Sequence, residues 1–268
     1  MNKYNLLVQN LASYQSMIIA FSGGVDSTLL AKAAYEALGD KALAITFCTP
    51  YIQKGEVALA QQTAKSIGIE HMIFNIEDDL TQKLQSNPQN RCYICKYHLF
   101  EKLKIYAKEK GFLTIAEGSN TDDTKEYRPG RKAIQELGII SPLLDASFSK
   151  EEIRSYSLKL GLATWDKPSS PCLLTRFEYD TKIEISNLHL VEEAEKFLFA
   201  QGYVDVRVRF DNHHARIEMP LISKQKLLSD PNLPLICEKL KTLGFSQVTL
   251  DLQPFRHEVQ FIGENYES

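Results

Sequence analysis

A chain of 268 residues with 44% hydrophobic side chains can bury one large core, or a medium and a small one, so one or two domains are expected. A net charge of −3 and a pI near 6.1 give no global positive field, which counts against a nucleic-acid partner, and the longest apolar runs are far too short to cross a bilayer. Five cysteines, an odd number in a chain too long to need staples, exclude a disulfide scaffold; with no N-terminal leader pattern, a cytoplasmic location is expected.

Short apolar runs rich in β-branched residues, at 17–21 (MIIAF), 41–47 (KALAITF), 71–76 (HMIFNI), 112–118 (FLTIAEG) and 139–144 (IISPLL), read as strands. Between them, 28–38, 56–68, 97–111 and 149–161 carry apolar residues at three-and-four spacing and read as helices, the last opened by a capping box of Ser149 and Glu152. Such alternation builds βαβ units, hence an α/β fold with a doubly wound parallel sheet whose ligand site lies at the carboxyl ends of the strands. After 165–180, heavy in proline and serine, the pattern changes to a helix at 183–200, strands at 203–210 and 215–219, a helix at 232–243 and a strand at 247–252. That is a smaller antiparallel α+β unit, and a boundary near 176 divides the chain into 1–176 and 177–268.

The sharpest motif is FSGGVDST, residues 21–28, between the first strand and the first helix. Two glycines let the backbone turn tightly, while successive N–H groups and a helix N-terminus form a concavity for a phosphate. Ser22, Ser27 and Thr28 add hydroxyls, and the missing lysine and shorter spacing exclude a Walker loop. A second cluster, EGSNTDD at 117–123, brings the oxygens of Glu117, Asn120, Asp122 and Asp123 to the end of the fourth strand.

Period-two alternation in YVDVRVRF (203–210) puts Val204, Val206, Val208 and Phe210 on one face and Asp205, Arg207 and Arg209 on the other. The two arginines make either an anion fork or a solvated outer face. Cys48 and Cys237 fall in element patterns where a thiol packs. Cys172, in a polar loop with Arg176 four residues on, has the setting of an activated thiol. Cys92 and Cys95 form a CxxC after Pro88, in a loop leading into the helix near 97, and zinc, thiol redox, an iron–sulfur cluster and simple packing are all open uses. Structural zinc generally wants four ligands, and no histidine stands at a suggestive spacing; all six are expected at the surface. Trp165 and Tyr127 are expected at a core or pocket rim.

SGGxDS resembles the PP-loop of the ATP pyrophosphatases, a superfamily that includes NAD and GMP synthetases, argininosuccinate synthetase and tRNA-thiolating enzymes. The resemblance implies cleavage of ATP between its α- and β-phosphates with Mg²⁺. Ser22, Gly23, Gly24 and Ser27 would hold pyrophosphate, Asp26 would place metal or phosphate, and an acceptor oxygen would attack the α-phosphorus to give an adenylate. Together with RCYICK, SSPCLLTR and VRVRF…ARIE, the order of motifs along both domains resembles the LarE family. These are ATP-dependent sulfur transferases that make thiocarboxylates on a pyridinium dicarboxylate mononucleotide, in nickel-pincer cofactor synthesis.

That resemblance implies a small nucleotide-like carboxylate substrate, with Glu117 in the nucleotide site and Arg176, Arg207 and Arg209 holding the substrate phosphate. Glu195 and Glu218 would be carboxylates on the metal side of the transfer site. It also implies a homo-oligomer, and a [4Fe–4S] cluster held by Cys92, Cys95 and Cys172 that takes its sulfide from a donor; the alternative is a single sacrificial sulfur at Cys172. An amidating or tRNA-thiolating relative would need a glutaminase segment or a basic domain, and neither is present. A regulatory module without turnover would have no need of Asp26, Ser27 and the acidic loop.

Overall fold

The computed structural model describes residues 2–76, 80–124 and 129–255. They fall into two compact units, within the bounds Met1–Leu84 with Pro88–Ser170, and Gln85–Asn87 with Pro171–Ser268.

The first unit runs α1 (Lys3–Leu11), β1 (Met17–Ala20), α2 (Val25–Leu38), β2 (Ala42–Cys48), α3 (Lys54–Ile67), β3 (Glu70–Asn75), α4 (Leu80–Leu84), α5 (Arg91–Lys110), β4 (Thr114–Ala116), α6 (Gly130–Glu136), α7 (Pro142–Asp145) and α8 (Lys150–Lys159). The strands form one parallel sheet in the order β3-β2-β1-β4. Both faces are covered, which is why the strands read as unbroken apolar runs. Met17 and Ile19 pack into one core with Leu7, Leu29, Leu30, Ala60 and Ile153, while Ile18 turns the other way to Ile45, Phe100, Leu103 and Ile134. Each such aliphatic side chain, fully withdrawn from water, stabilises the fold by about 1.5–3 kcal/mol.

The doubly wound α/β fold is as expected; several details differ. The run at 139–144 does not extend as a strand. Ile140 makes a single parallel bridge to Ala116, and Pro142 then sits at the first helical position and turns the chain into α7. Helix α1, capped by the Asn2 side chain on the Asn5 N–H (2.8 Å), is absent from the sequence reading. Cys92 and Cys95 lie inside the first turns of α5 and not in a loop before it. The capping box of α8 is present in full, with the Glu152 N–H on Ser149 Oγ (3.2 Å) and the Ser149 N–H on Glu152 Oε2 (2.9 Å).

The second unit runs α9 (Ile185–Ala200), β5 (Arg207–Asp211), β6 (His214–Glu218), α10 (Leu221–Leu228), α11 (Leu233–Leu243) and β7 (Gln247–Leu250). Its sheet is mixed, with β5 antiparallel to β6 but β7 parallel to it, because α10 and α11 carry the chain back over before β7 begins. The strand expected from 203 starts only at Arg207, since Asp205 has a left-handed φ of +55 and leaves Val204 exposed. Residues Gln85–Asn87 belong to this unit. Asn87 is fully buried there, and its Nδ2 donates to the Glu178 carbonyl at 2.7 Å, while its own carbonyl accepts the Asp180 N–H at 3.1 Å and that of Gln85 accepts the Ile183 N–H at 2.6 Å. Among the described residues, no helix is long and apolar enough to cross a membrane.

Candidate active site

β1 delivers Phe21–Thr28 to the carboxyl edge of the sheet, and α2 begins within that stretch at Val25. Gly24 is the N-cap and no side chain caps it, which leaves the orphan donors of the first turn for an anion. Gly23 has φ +67, and a Cβ built there would lie 2.7 Å from Ala60 Cα and 2.9 Å from Ala60 Cβ in α3. Only glycine satisfies both constraints. Ser27 Oγ donates to the Gly24 carbonyl (3.2 Å) and lies 3.2 Å from Ser22 Oγ, which in turn accepts the Gly24 N–H (3.3 Å). From behind, Thr46 Oγ1 donates to the Phe21 carbonyl (2.7 Å) and sits 2.8 Å from His71 Nε2. With the hydroxyl hydrogen committed to Phe21, the imidazole Nε2 carries the hydrogen of that second bond, and burial pushes the His71 pKa down. Half-buried His71 is therefore part of the loop's support, and His98 is buried, so these two are not the surface histidines expected.

β4 lies on the other side of β1 from β2, so the ends of β1 and β4 flank the point where the strand order reverses, the ordinary ligand position of such sheets. The loop after β4 packs against the glycine loop so closely that a Cβ on Gly118 would come within 3.1 Å of Ser27 N. Glu117 is buried and held from several sides: its carboxylate accepts the Ser119 N–H (3.0 Å), Ser119 Oγ (2.9 Å) and Ser141 Oγ (2.5 Å), with Lys96 Nζ at 3.7 Å. Asp26 accepts Asn120 Nδ2 at 3.1 Å on one oxygen and the Lys150 ammonium on the other. Asp122 and Asp123 hold the backbone, accepting the N–H of Lys150 (2.7 Å) and of Asn120 (3.0 Å). Trp165 is exposed and not packed in a core, and Tyr127 lies outside the described residues.

In the second unit, Arg207 and Arg209 share one face of β5 while Val208 is buried on the other. Arg176 forks onto Glu195, Nε to Oε1 at 2.8 Å and Nη2 to Oε2 at 3.0 Å, and Glu195 Oε1 also accepts the Val208 N–H at 2.9 Å. Arg209 Nη2 reaches Glu218 Oε2 at 2.8 Å, and its Nη1 donates to the Thr175 carbonyl. Its buried Nε has no hydrogen-bond partner among the described residues. Arg207 stacks its guanidinium 4.9 Å from the Phe255 ring centre. Burial pushes the Arg207 pKa down, and the neighbouring Arg176 and Arg209 push it further, against partial relief from Glu218 and Glu195. Arg176, Arg207 and Arg209 thus gather three guanidiniums around the carboxylates of Glu195 and Glu218, a grouping able to receive an anion.

Cys92 and Cys95, three apart on α5, share a helix face; Cys92 is exposed and Cys95 half-buried. Cys172, half-buried, precedes the short 3₁₀ turn Leu173–Arg176 in the second unit. No disulfide joins any of the five cysteines, and among the described residues no three His, Cys, Asp or Glu side chains are gathered into a metal cage.

A family model described as NAD synthase matches residues 4–114. The chain is 40% identical over 255 residues, 95% of each chain, to an uncharacterised protein of Synechocystis sp.. It is 29% identical over 157 residues to a chain of the glutamine-hydrolysing GMP synthase of Pyrococcus abyssi, a match that covers 54% of this chain and 50% of that one. Over 253 residues, 93% of this chain and 90% of the other, it is 34% identical to the pyridinium-3,5-bisthiocarboxylic acid mononucleotide synthase of Lactiplantibacillus plantarum. The chain belongs to the LarE family of PP-loop sulfur transferases.

For a LarE-family chain, the sequence reading overlooked the cations that furnish the ATP-binding loop. Lys150 meets Asp26, and Lys167 Nζ donates to the Gly23 carbonyl (3.1 Å) and to Glu56 Oε2 (2.8 Å) at the start of α3. Neither lysine belongs to a glycine-rich or acidic motif. A weak signal existed for Lys150, which follows the capping Ser149 at the carboxyl end of an apolar run; Lys167 had none, because its partners lie 144 and 111 residues away.

Proposed function

We propose that this chain activates a carboxylate of a pyridinium dicarboxylate mononucleotide with ATP and replaces the activating group with sulfur. The supporting observation is a similarity that spans both units, one carrying a pyrophosphate cradle and the other a cluster of three arginines. The carboxylate oxygen attacks the α-phosphorus, the bond to the bridging oxygen breaks, and pyrophosphate departs toward the N–H groups of Ser22–Ser27. A sulfur nucleophile then attacks the acyl carbon and AMP leaves. Mg²⁺ would be held at Asp26 and neutralise phosphate charge there. Glu117, fixed by Ser119 and Ser141, is the preorganised carboxylate of the nucleotide side. ATP incubated with protein and substrate should yield AMP and pyrophosphate; chromatography showing ADP and orthophosphate would overturn the assignment.

The substrate phosphate sits on Arg207 and Arg209, with Arg176 behind them. In this reading Glu195 and Glu218 orient the guanidiniums as well as standing on the metal side of the transfer site. Arg207→Ala and Arg209→Ala should each raise the substrate KM by about 10–100-fold, the loss of a charge-assisted bond worth about 1.5–3 kcal/mol. Steady-state kinetics with unchanged KM in both variants would return these arginines to a solvated face.

Cys92, Cys95 and Cys172 hold a [4Fe–4S] cluster. The donor set fits: three thiols outside any disulfide, two of them on one helix face, suit iron better than hard cations. When bound, the cluster would supply an iron with an open coordination position for sulfide from an external donor. Cys172 as a sacrificial sulfur source is the alternative. A reducing cytoplasm suits five cysteines outside any disulfide, and the exposed Leu221, Ile222, Leu228 and Leu235 of the second unit favour self-association into a homo-oligomer.

A further inference from the structure

Lys150 ties two motifs together from one position. Its backbone N–H donates to Asp122 Oδ2 at 2.7 Å, and its ammonium meets Asp26 Oδ2. The stretch of chain just before it is laced to the acidic loop, with the Phe148 carbonyl accepting both the N–H (2.9 Å) and the Oγ1 (3.0 Å) of Thr121. The helix it opens is fixed by its capping box, whose Glu152 also receives Lys3 Nζ at 2.6 Å. The root of the side chain is therefore anchored. The ammonium is not: the Lys150 side chain keeps 41% of its surface exposed, and Asp26 keeps 23%. Asp26 is the one carboxylate inside the phosphate-binding loop, and in this structure a lysine occupies the oxygen that a metal would need.

We infer that Lys150 is an internal counter-ion for Asp26 that exchanges with the divalent cation. In the empty loop the ammonium neutralises Asp26 and keeps the loop from carrying an uncompensated charge beside Glu117. When nucleotide arrives, the metal takes Asp26, and the displaced ammonium, still rooted at Asp122, turns to the pyrophosphate oxygens. The exchange leaves both Asp26 and the pyrophosphate with a cationic partner and makes occupation by metal and by pyrophosphate mutually supportive. This rests on the reading of Ser22–Ser27 as a pyrophosphate cradle.

The test exploits opposite signs. With Mn²⁺ as the probe, free-metal titration followed by electron paramagnetic resonance should give Lys150→Met about tenfold tighter binding than wild type, because Asp26 is released. With inorganic pyrophosphate in EDTA as the second probe, calorimetry should give the same variant about tenfold weaker binding, because without the ammonium the charge of Asp26 stands uncompensated beside the anion. Lys150→Arg should keep pyrophosphate affinity within about threefold, since a cation remains on the same root. A merely structural lysine would weaken both ligands together, and that result, or no change in either, overturns the inference. Wild-type protein that binds no pyrophosphate would retire the cradle reading and the second half of the exchange with it. Unchanged Mn²⁺ affinity in Lys150→Met, with pyrophosphate bound normally by wild type, would retire the exchange and leave the cradle standing.

Discussion

Gly23→Ala should reduce AMP formation by two orders of magnitude or more. An L-residue in the left-handed region costs about 1–2 kcal/mol, and overpacking against a rigid neighbour typically costs another 1–3 kcal/mol. Here the neighbour is the backbone of α3, with Ala60 Cα at 2.7 Å from the added methyl, so no side-chain rotation relieves the clash. The loop must move instead. Movement detaches the Gly23 carbonyl from Lys167 and turns the N–H groups away from the pyrophosphate position, and loss of one preorganised donor of this kind costs about 10²–10³ in rate. Thermal unfolding should shift down by about 5–10 °C, in line with the strain. Gly24→Ala is the control for the fold: φ is −84 and the nearest atom to its Cβ is Ser22 Oγ at 3.3 Å, so its Tm should stay within about 2 °C of wild type. A Gly23→Ala enzyme with a wild-type rate would remove the loop from the chemistry.

Protein reconstituted with iron and sulfide without oxygen should be brown and carry about four irons per chain, as a [4Fe–4S] assignment requires. Cys92→Ala, Cys95→Ala and Cys172→Ala should each bleach the visible absorption and bring repeated turnover to background. A cluster with three protein ligands has none to spare. Cys48→Ala and Cys237→Ala should keep the colour. The opposite outcome is equally definite: colourless wild-type protein whose Cys172 is lighter by the mass of H₂S after one turnover makes the sulfur sacrificial.

The parallel sheet was legible because strands buried on both faces leave an unmistakable apolar signature, and the glycine loop because its backbone geometry demands particular residues. Where a single residue tipped the local balance, the reading slipped. Pro142 converts an apolar run into α7, and Asp205 in a left-handed conformation shortens the strand before Arg207. The short α1 and α10 have apolar spacing too brief to stand out from the sequence around them. The ammonium groups of Lys150 and Lys167 and the imidazole of His71 were invisible for a different reason. Each acts through partners far away in sequence, and a lysine or histidine in isolation carries no mark of what it will touch.

Asn87 bears on how such a chain can be cut and recombined. Because Gln85–Asn87 are stitched into the second unit by bonds to Glu178, Asp180 and Ile183, that unit is not one continuous stretch of polypeptide. A fragment starting at Pro171 would lack a fully buried asparagine and leave the Glu178 carbonyl without its donor. Exchange of the second unit as one contiguous stretch is thereby obstructed. Any exchange has to carry two separate pieces of chain, the short Gln85–Asn87 segment together with the stretch from Pro171.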